Sequence, residues 1–274
     1  MISLLKKYFS KRLVRNAEEA MSGIKSGNKL IFGGFGLCGI PENMLRFLIN
    51  RDDIKDLEVV SDNGGTANIG LGVLMKQNKI KRMYASFIGV NPVFQKSYLG
   101  GDLELELIPQ GTLAEKLRSG GAGIPGFYTR TGVNTLVEEG GIPIKYNKDG
   151  TVAIYSQPKE TRIIKERKYL FEESIRGDFA LIKAWKGDTI GNLVFRKTAR
   201  NFNIDAATAG KVCIAEVEEL VNPGEISPDE IHLPGIYVNK IFKGEKYDKP
   251  IENLVTRESR EKAKDDKVII KYIK

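Results

Sequence analysis

The chain has 274 residues, 41% of them hydrophobic and 28% charged, with no apolar run near the ~18 residues a membrane span requires; that is one large domain or one and a half ordinary ones, with a core that needs no covalent staples. Cys38 and Cys213, the only cysteines, are far apart and outside any Cys-x-x-Cys spacing, which excludes a disulfide framework and a zinc cluster and fits a reducing compartment. The net charge is +8, but Lys6, Lys7, Lys11, Arg12 and Arg15 supply five of those charges before the first acid, so the body is nearly balanced and a nucleic-acid surface is disfavoured.

The first element carries Ile2, Leu5, Phe9 and Leu13 at helical spacing, with Lys7, Lys11 and Arg15 four apart beside them. Such a basic, acid-free amphipathic start is either a transit peptide or an ordinary first helix with a basic face. Residues 1–14 are accordingly set apart as a leader; the protein belongs in the mitochondrial matrix if the leader directs import and in the cytoplasm otherwise. Apolar β-prone runs then alternate with helical patterns. Strands are expected at Lys29 to Phe32, Leu57 to Ser61, Arg82 to Ile88 and Leu103 to Ile108, and helices at Asn16 to Ile24, Pro41 to Ile49, Gly70 to Gln77, Pro92 to Tyr98 and Thr112 to Arg118. Short helices between strands are crossovers, so the class is α/β. The strict alternation of Leu103-Glu104-Leu105-Glu106-Leu107 predicts a strand with one wet face near a sheet edge.

A second series of strands is expected at Val152 to Tyr155, Phe179 to Trp185, Leu193 to Arg196, Val212 to Val217 and Ile236 to Ile241. Between the two series lies SGGAGIPGFYTRTG, residues 119–132. Its aromatic pair argues against a bare polar linker and for a binding loop. Trp185 sits in an apolar run and reads as core. His232, the sole histidine, lies in a loop-like segment and reads as structural or surface; it leaves no room for a His-rich metal site. Glu172 and Glu173 are adjacent and cannot share one face of a strand. The chain is divided as a leader (1–14), a main domain (15–255) and a charged linker entering a helix with an apolar cluster (256–274).

The stretch Gly33-Gly34-Phe35-Gly36-Leu37-Cys38-Gly39-Ile40-Pro41 follows a strand and precedes a helix. It contains a formal G-x-G-x-x-G at Gly34, Gly36 and Gly39. Pro41 stands where a phosphate-binding helix should already be running, and no acid ends a second strand about twenty residues on, so a nicotinamide site is disfavoured. Proline and Glu42 do make a good helix start. Four glycines exceed what a turn needs, which favours close approach of a ligand to the backbone.

Together with GLGVLM, LELELIPQGTLAEKLRSGGAGIPGFYT, EEGGIPIKYNKDG, RGDFALIKAWKGDTIGN and RKTARNFN, that stretch resembles the first half of the family I CoA-transferases, in the branch that uses succinyl-CoA and a 3-oxo acid, over about residues 15 to 274. The resemblance implies a CoA-transferase α-subunit-like open α/β/α sandwich with a mixed, largely parallel sheet and a smaller strand-rich portion. It implies an α portion that moves CoA from succinyl-CoA to a 3-oxo acid such as acetoacetate. It also implies a β subunit or β half carrying the nucleophilic glutamate, an oligomer, and no resident cofactor or metal, since the CoA thioester is a substrate. No membrane or nucleic-acid partner is expected. The Ser-Glu-Asn-Gly turn that carries the glutamate is not seen here.

Ser61-Asp62-Asn63-Gly64-Gly65 occupies the pseudo-equivalent turn, where relatives usually read Ser-Asn-Asn. Asp62 is one methylene shorter than glutamate, so a turn or hydrogen-bonding role is expected, with Asn63 beside it. Gln110 matches a position beside the active site, where its amide would orient a thioester carbonyl or hold the attacking carboxylate; otherwise it only closes a turn. Walls for the acyl and CoA groups are expected at Gly33, Gly34, Phe35, Gly36, Cys38 and Gly39, and at Gly121 and Gly123. Cys38, with no histidine nearby in sequence, reads as a buried packing thiol more than a nucleophile. The alternative reading is a relic without turnover that binds CoA or a partner subunit.

Overall fold

A computed structural model describes residues 12–89 and 91–249. In chain order these form α1 (Ala17–Met21), β1 (Lys29–Phe32), α2 (Glu42–Ile49), β2 (Leu57–Val60), α3 (Leu71–Lys76), β3 (Ile80–Ala85), α4 (Pro92–Leu99), β4 (Glu104–Leu107) and α5 (Gln110–Gly121). They continue with β5 (Gly126–Thr129), α6 (Leu136–Glu139), β6 (Pro143–Tyr146), β7 (Val152–Tyr155), β8 (Thr161–Ile164), β9 (Arg167–Glu173), β10 (Gly177–Asp188), β11 (Leu193–Val194), α7 (Asn203–Ala209), β12 (Gly210–Val221) and β13 (Lys240–Lys243).

The main sheet has the order β13-β12-β10-β1-β2-β3-β4, all parallel, with β11 antiparallel beside β10. Strands covered on both faces need apolar residues at every position, and β1 (Lys-Leu-Ile-Phe) and β2 (Leu-Glu-Val-Val) come close to that. Their alternation feeds two cores. Leu30, Phe32, Leu57 and Val59 pack against Met21, Met44, Leu48, Leu74 and Phe94 of α1–α4 on one side. On the other side Ile31, Val60 and Ile182 pack against Leu113 and Leu117 of α5 and Ala206 and Ala207 of α7. The result is the open α/β/α sandwich expected from the sequence. Antiparallel sheets β5-β9-β8 and β6-β7 form the smaller strand-rich portion. The alternating strand Leu103 to Leu107 is indeed an outer strand, β4.

Helix ends are satisfied by specific side chains. The buried Lys79 ammonium donates to the carbonyls of Leu48 (2.8 Å) and Ile49 (3.3 Å), which end α2. Asn91 caps α4 through its Oδ1, which accepts from the amides of Val93 and Phe94. Among the described residues no helix is long and apolar enough to cross a membrane.

Several expectations need correction. Residues 119–132 are not a loop: 119–121 complete α5, and 126–129 form β5, paired with β9. The glycines are there for contact, since a Cβ on Gly120 would lie 2.0 Å from the Ile175 carbonyl oxygen and one on Gly121 2.2 Å from Thr208 Oγ1. Strands β5, β6, β8 and β9 had no distinct apolar signature, because they are half-covered or, like β8, fully exposed. Residues 235–237 turn as a 3-10 helix before β13 begins at Lys240. Trp185 is half-buried, not core: its Nε1 donates to Glu219 Oε1 at 3.1 Å, and its ring meets Lys186 Nζ at 4.7 Å. The expected leader helix falls mainly outside the described residues. Residues 12–14 pair with β13, Ile241 N donating to Arg12 O at 2.8 Å and Val14 N to Ile241 O at 2.9 Å. The expected helix in 256–274 lies wholly outside the described residues.

Candidate active site

Chain order reverses at β1: β2, β3 and β4 lie to one side of it, β10, β12 and β13 to the other. In an open parallel sheet the crevice outside the carboxyl ends of the strands, at such a reversal, is where ligands bind. The turns after β1 and β2 and the start of α5 meet at that end.

After β1 the ladder continues one residue, Gly33 N donating to Leu181 O at 3.0 Å. Phe35 and Cys38 then exchange backbone hydrogen bonds (2.9 and 3.0 Å), closing a two-residue hairpin with Gly36 at φ +60° in its first central position. Asn203, fully buried at the start of α7, holds this turn in place. Its Oδ1 accepts from Lys183 N at 3.0 Å, and its Nδ2 donates to the carbonyls of Gly39 (3.0 Å) and Ala199 (2.9 Å). Most of the glycines serve this fit. A Cβ on Gly33 would stand 1.9 Å from Asn203 Oδ1, one on Gly34 2.8 Å from Ile40 Cγ2, and one on Gly39 2.8 Å from the Ala199 oxygen. Only Gly36 of the four has nothing within 4 Å, so the protein itself, more than a ligand, explains the glycine density. Phe35 is 48% exposed. Cys38 is buried with Sγ 3.4 Å from Thr198 Oγ1. These contacts fit a packing thiol.

The helix that follows is anchored from β12. Glu216, buried in mid-strand, accepts from Asn43 N (3.2 Å), Asn43 Nδ2 (3.2 Å) and Met44 N (2.9 Å) in the first turn of α2. Burial pushes its carboxyl up to about 7, against those hydrogen bonds. Neighbouring Glu218 pairs with the buried Lys183 at 2.7 Å and with Lys249. Burial works against the Glu218 charge, yet the two ammonium groups hold its carboxyl below the usual range.

After β2, Asp62 is 3% exposed. Its Oδ1 accepts from Gln110 Nε2 at 2.9 Å and its Oδ2 from Asn63 Nδ2 at 2.8 Å. Asn63 Oδ1 accepts from Gly65 N at 2.7 Å, and Asn63 also bridges to Phe87 beyond β3. The structure thus brings Asp62, Asn63 and Gln110 together. With both oxygens hydrogen-bonded and only 3% of its surface exposed, Asp62 is held as a structural partner of the two amides. Gln110, the first residue of α5, is exposed, and its Oε1 and second N–H have no protein hydrogen-bond partner among the described residues. The cleft between the two turns, lined by Gly33, Gly36, Ile40, Ser61, Asn63 and Gly65, holds only about 10 Å³, room for one water. It is a rim for a ligand, not a closed pocket.

Gly121 and Gly123 do not join this group. Gly121 ends α5, about 16 Å along the helix from Gln110 at 1.5 Å per residue, and neither glycine lines the cleft. His232 is structural, its Nδ1 accepting from Phe195 N at 2.9 Å. Asn203, Glu216 and Phe87, which is 53% exposed beside Asn63, were missed as contributors. An acid inside an apolar strand run was the one legible signal, at Glu216.

Residues 14–244 match the coenzyme A transferase family. The chain is 47% identical over 262 residues to mouse succinyl-CoA:3-ketoacid coenzyme A transferase 2A, mitochondrial, covering 94% of this chain and 50% of the mouse protein. It is 49% identical over 249 residues to one subunit, designated A, of the Helicobacter pylori succinyl-CoA:3-ketoacid coenzyme A transferase, covering 91% of this chain and 99% of that bacterial polypeptide. It therefore spans about half the length of the mouse relative and nearly all of the bacterial one. An Escherichia coli acyl-CoA transferase solved as a thioester complex with CoA superposes with a TM-score of 0.76 at 20% identity, over 90% of this chain and 53% of that one, a likeness of fold.

Proposed function

The chain belongs to the coenzyme A transferase family, and from that premise we propose that it is one half of a two-part enzyme, the half without the nucleophilic glutamate, that moves CoA from succinyl-CoA to a 3-oxo acid such as acetoacetate. The observation that carries this reading is the Asp62–Asn63–Gln110 cluster at the mouth of the β1–β2 crevice, whose only carboxylate is fully engaged. The attacking acid therefore comes from a β-type half. Its carboxylate oxygen adds to the thioester carbonyl, CoA leaves as thiolate, and an acyl-glutamyl anhydride forms. The thiolate then attacks the glutamyl carbonyl, releasing succinate and leaving a glutamyl-CoA thioester for the 3-oxo acid.

A carboxylate is a weak nucleophile toward a thioester, so rate depends on positioning and on donors aimed at the developing oxyanion. In this reading Asp62 fixes the Gln110 amide through one N–H, and the other N–H donates to the thioester oxygen or steadies the incoming carboxylate. Asn63 locks Asp62 from the opposite side, and Phe35, Gly36 and Phe87 form the wall on which the second half and the acyl chain rest. The mouse and bacterial relatives bear names that state this substrate pair.

Mixing the full chain with a β-type half from a relative should restore acetoacetate-dependent consumption of succinyl-CoA. Gln110→Ala should then lower kcat by about 100-fold, the usual loss of one oxyanion donor, with an unchanged melting temperature. A stable complex without turnover would turn the reading toward a binding relic. Matrix location follows if residues 1–14 carry a reporter into mitochondria, and cytoplasmic location if they do not.

A further inference from the structure

Among the described residues, strand β4 forms one edge of the main sheet with no strand paired beyond it. The β6–β7 hairpin is held opposite it by side-chain contacts from α4 and β4. Tyr98 Oη donates to Pro143 O at 2.6 Å, the Tyr98 and Tyr146 rings meet edge-on at 5.2 Å, and Lys145 Nζ pairs with Glu104 at 3.1 Å. Between edge and hairpin lies a solvent-open cleft of about 200 Å³, room for a small organic molecule.

The lining mixes two chemistries. Leu105, Leu107 and Ile108 at β4 and Ile142 and Ile144 at β6 supply apolar surface. Ser156, Gln157 and Lys159, beyond β7, supply donors, and Glu106 a carboxylate. Ser156 Oγ already accepts from Ile142 N at 3.0 Å, so its O–H is left to donate. The Gln157 side chain has no hydrogen-bond partner among the described residues. Lys159 pairs with Glu172, and Glu172, only 1% exposed, also takes Lys116 at 2.8 Å. Two ammonium groups thus share one carboxylate beside the largely apolar cleft. Glu106, the acid at the cavity wall, is already bound by Arg82 at 3.0 Å.

A part-buried cation gains from an anionic partner, and apolar walls gain from a hydrocarbon tail. We propose that this cavity is a binding site for a short-chain monocarboxylate, its carboxylate on Gln157 and Lys159 and its chain against Leu107 and Ile144. None of Asp62, Asn63 and Gln110 lines it, so it is separate from the candidate active site and stands or falls without the transferase reading.

The test titrates the isotopically labelled full chain with sodium butyrate, and in parallel with butanol, which lacks the charge, and acetate, which lacks the tail. Butyrate should shift the amides of 105–108, 142–144 and 156–159 and saturate in the millimolar range, with butanol and acetate at least about tenfold weaker. Lys159→Gln leaves the Lys116–Glu172 pair intact and should weaken butyrate about tenfold, the scale of one charge-assisted hydrogen bond. Leu107→Trp, at a part-exposed position, should fill the cavity and abolish the shifts while the melting temperature holds. Absence of saturable shifts, equal binding of butanol, shifts confined to the Gly33–Gly65 cleft, or an unchanged affinity in Lys159→Gln would each overturn the proposal. Turnover with a β-type half is a separate readout, so the two readings can fail independently.

Discussion

Glycines crowd two places in this chain, the turn at 33–39 and the stretch at 119–126, and the two use them differently. In the turn, Gly34, Gly36 and Gly39 have positive φ, and a buried asparagine locks the path, so glycine both bends the backbone and admits a neighbour. In the second stretch, Gly120 and Gly121 are ordinary helical residues at which only the missing side chain matters, since α5 there abuts Ile175 and Thr208. A cluster of glycines therefore marks close approach. It does not say whether a ligand or the chain's own backbone does the approaching.

The sharpest way to break that comparison is Gly33→Ala. The new Cβ would sit 1.9 Å from Asn203 Oδ1, so Asn203 must leave its bonds, and a loss of about 3 kcal/mol is expected by urea denaturation. In the Asn203→Ala background the same substitution should cost much less, because the obstructing atoms are gone; additive losses would show that the contact is not what requires glycine. Gly120→Ala meets the Ile175 backbone carbonyl at 2.0 Å and should cost about 2 kcal/mol, since α5 and the β9–β10 connection can part slightly. It should leave reconstituted turnover unchanged per folded molecule, whereas Gly33→Ala should not.

The anchoring of α2 behind the first turn has a pH signature. In the native state burial lifts the Glu216 carboxyl from 4.5 to about 7, so the folded chain keeps a proton there that the unfolded chain has already lost. Its contribution to stability is greatest below pH 4.5, declines as pH rises to about 7, and is flat beyond. Glu216→Gln should remove that slope from a series of thermal melts, and a persisting slope would assign it to another group. The smallest effect is expected at Gly36→Ala, where space is open and only the positive φ (+60°) opposes a side chain. A loss of about 1 kcal/mol follows, and a rise in KM larger than the stability change implies would mark Gly36 as the place where substrate passes.

How much was legible follows the physics of each region. Strands β1 and β2 and helices α2–α4 could be read almost to the residue, because burial on both faces demands unbroken apolar runs and each crossover helix carries its own cap or periodicity. Strands β5, β6, β8 and β9 could not, since half-covered antiparallel strands tolerate almost any side chain. In the candidate site, Asp62 and Asn63 were readable as one turn. A family likeness placed Gln110 beside the active site, but neither that likeness nor spacing said that it would bond Asp62, 48 residues away. Asn203 and Glu216 act across more than 160 residues of chain, and local pattern carries no trace of such pairings.

By itself the sequence determined the α/β alternation and the outer position of β4. These are local matters of periodicity, composition and side-chain type. Only the tertiary structure decided what fills the space left by the glycines, where the Gln110 amide is aimed, and that a largely apolar cleft lies beside Lys159, which shares the Glu172 carboxylate with Lys116. Each of these depends on which distant segments the sheet order brings within a few ångströms, and that order is set by the summed packing of both cores, not by any one stretch of chain.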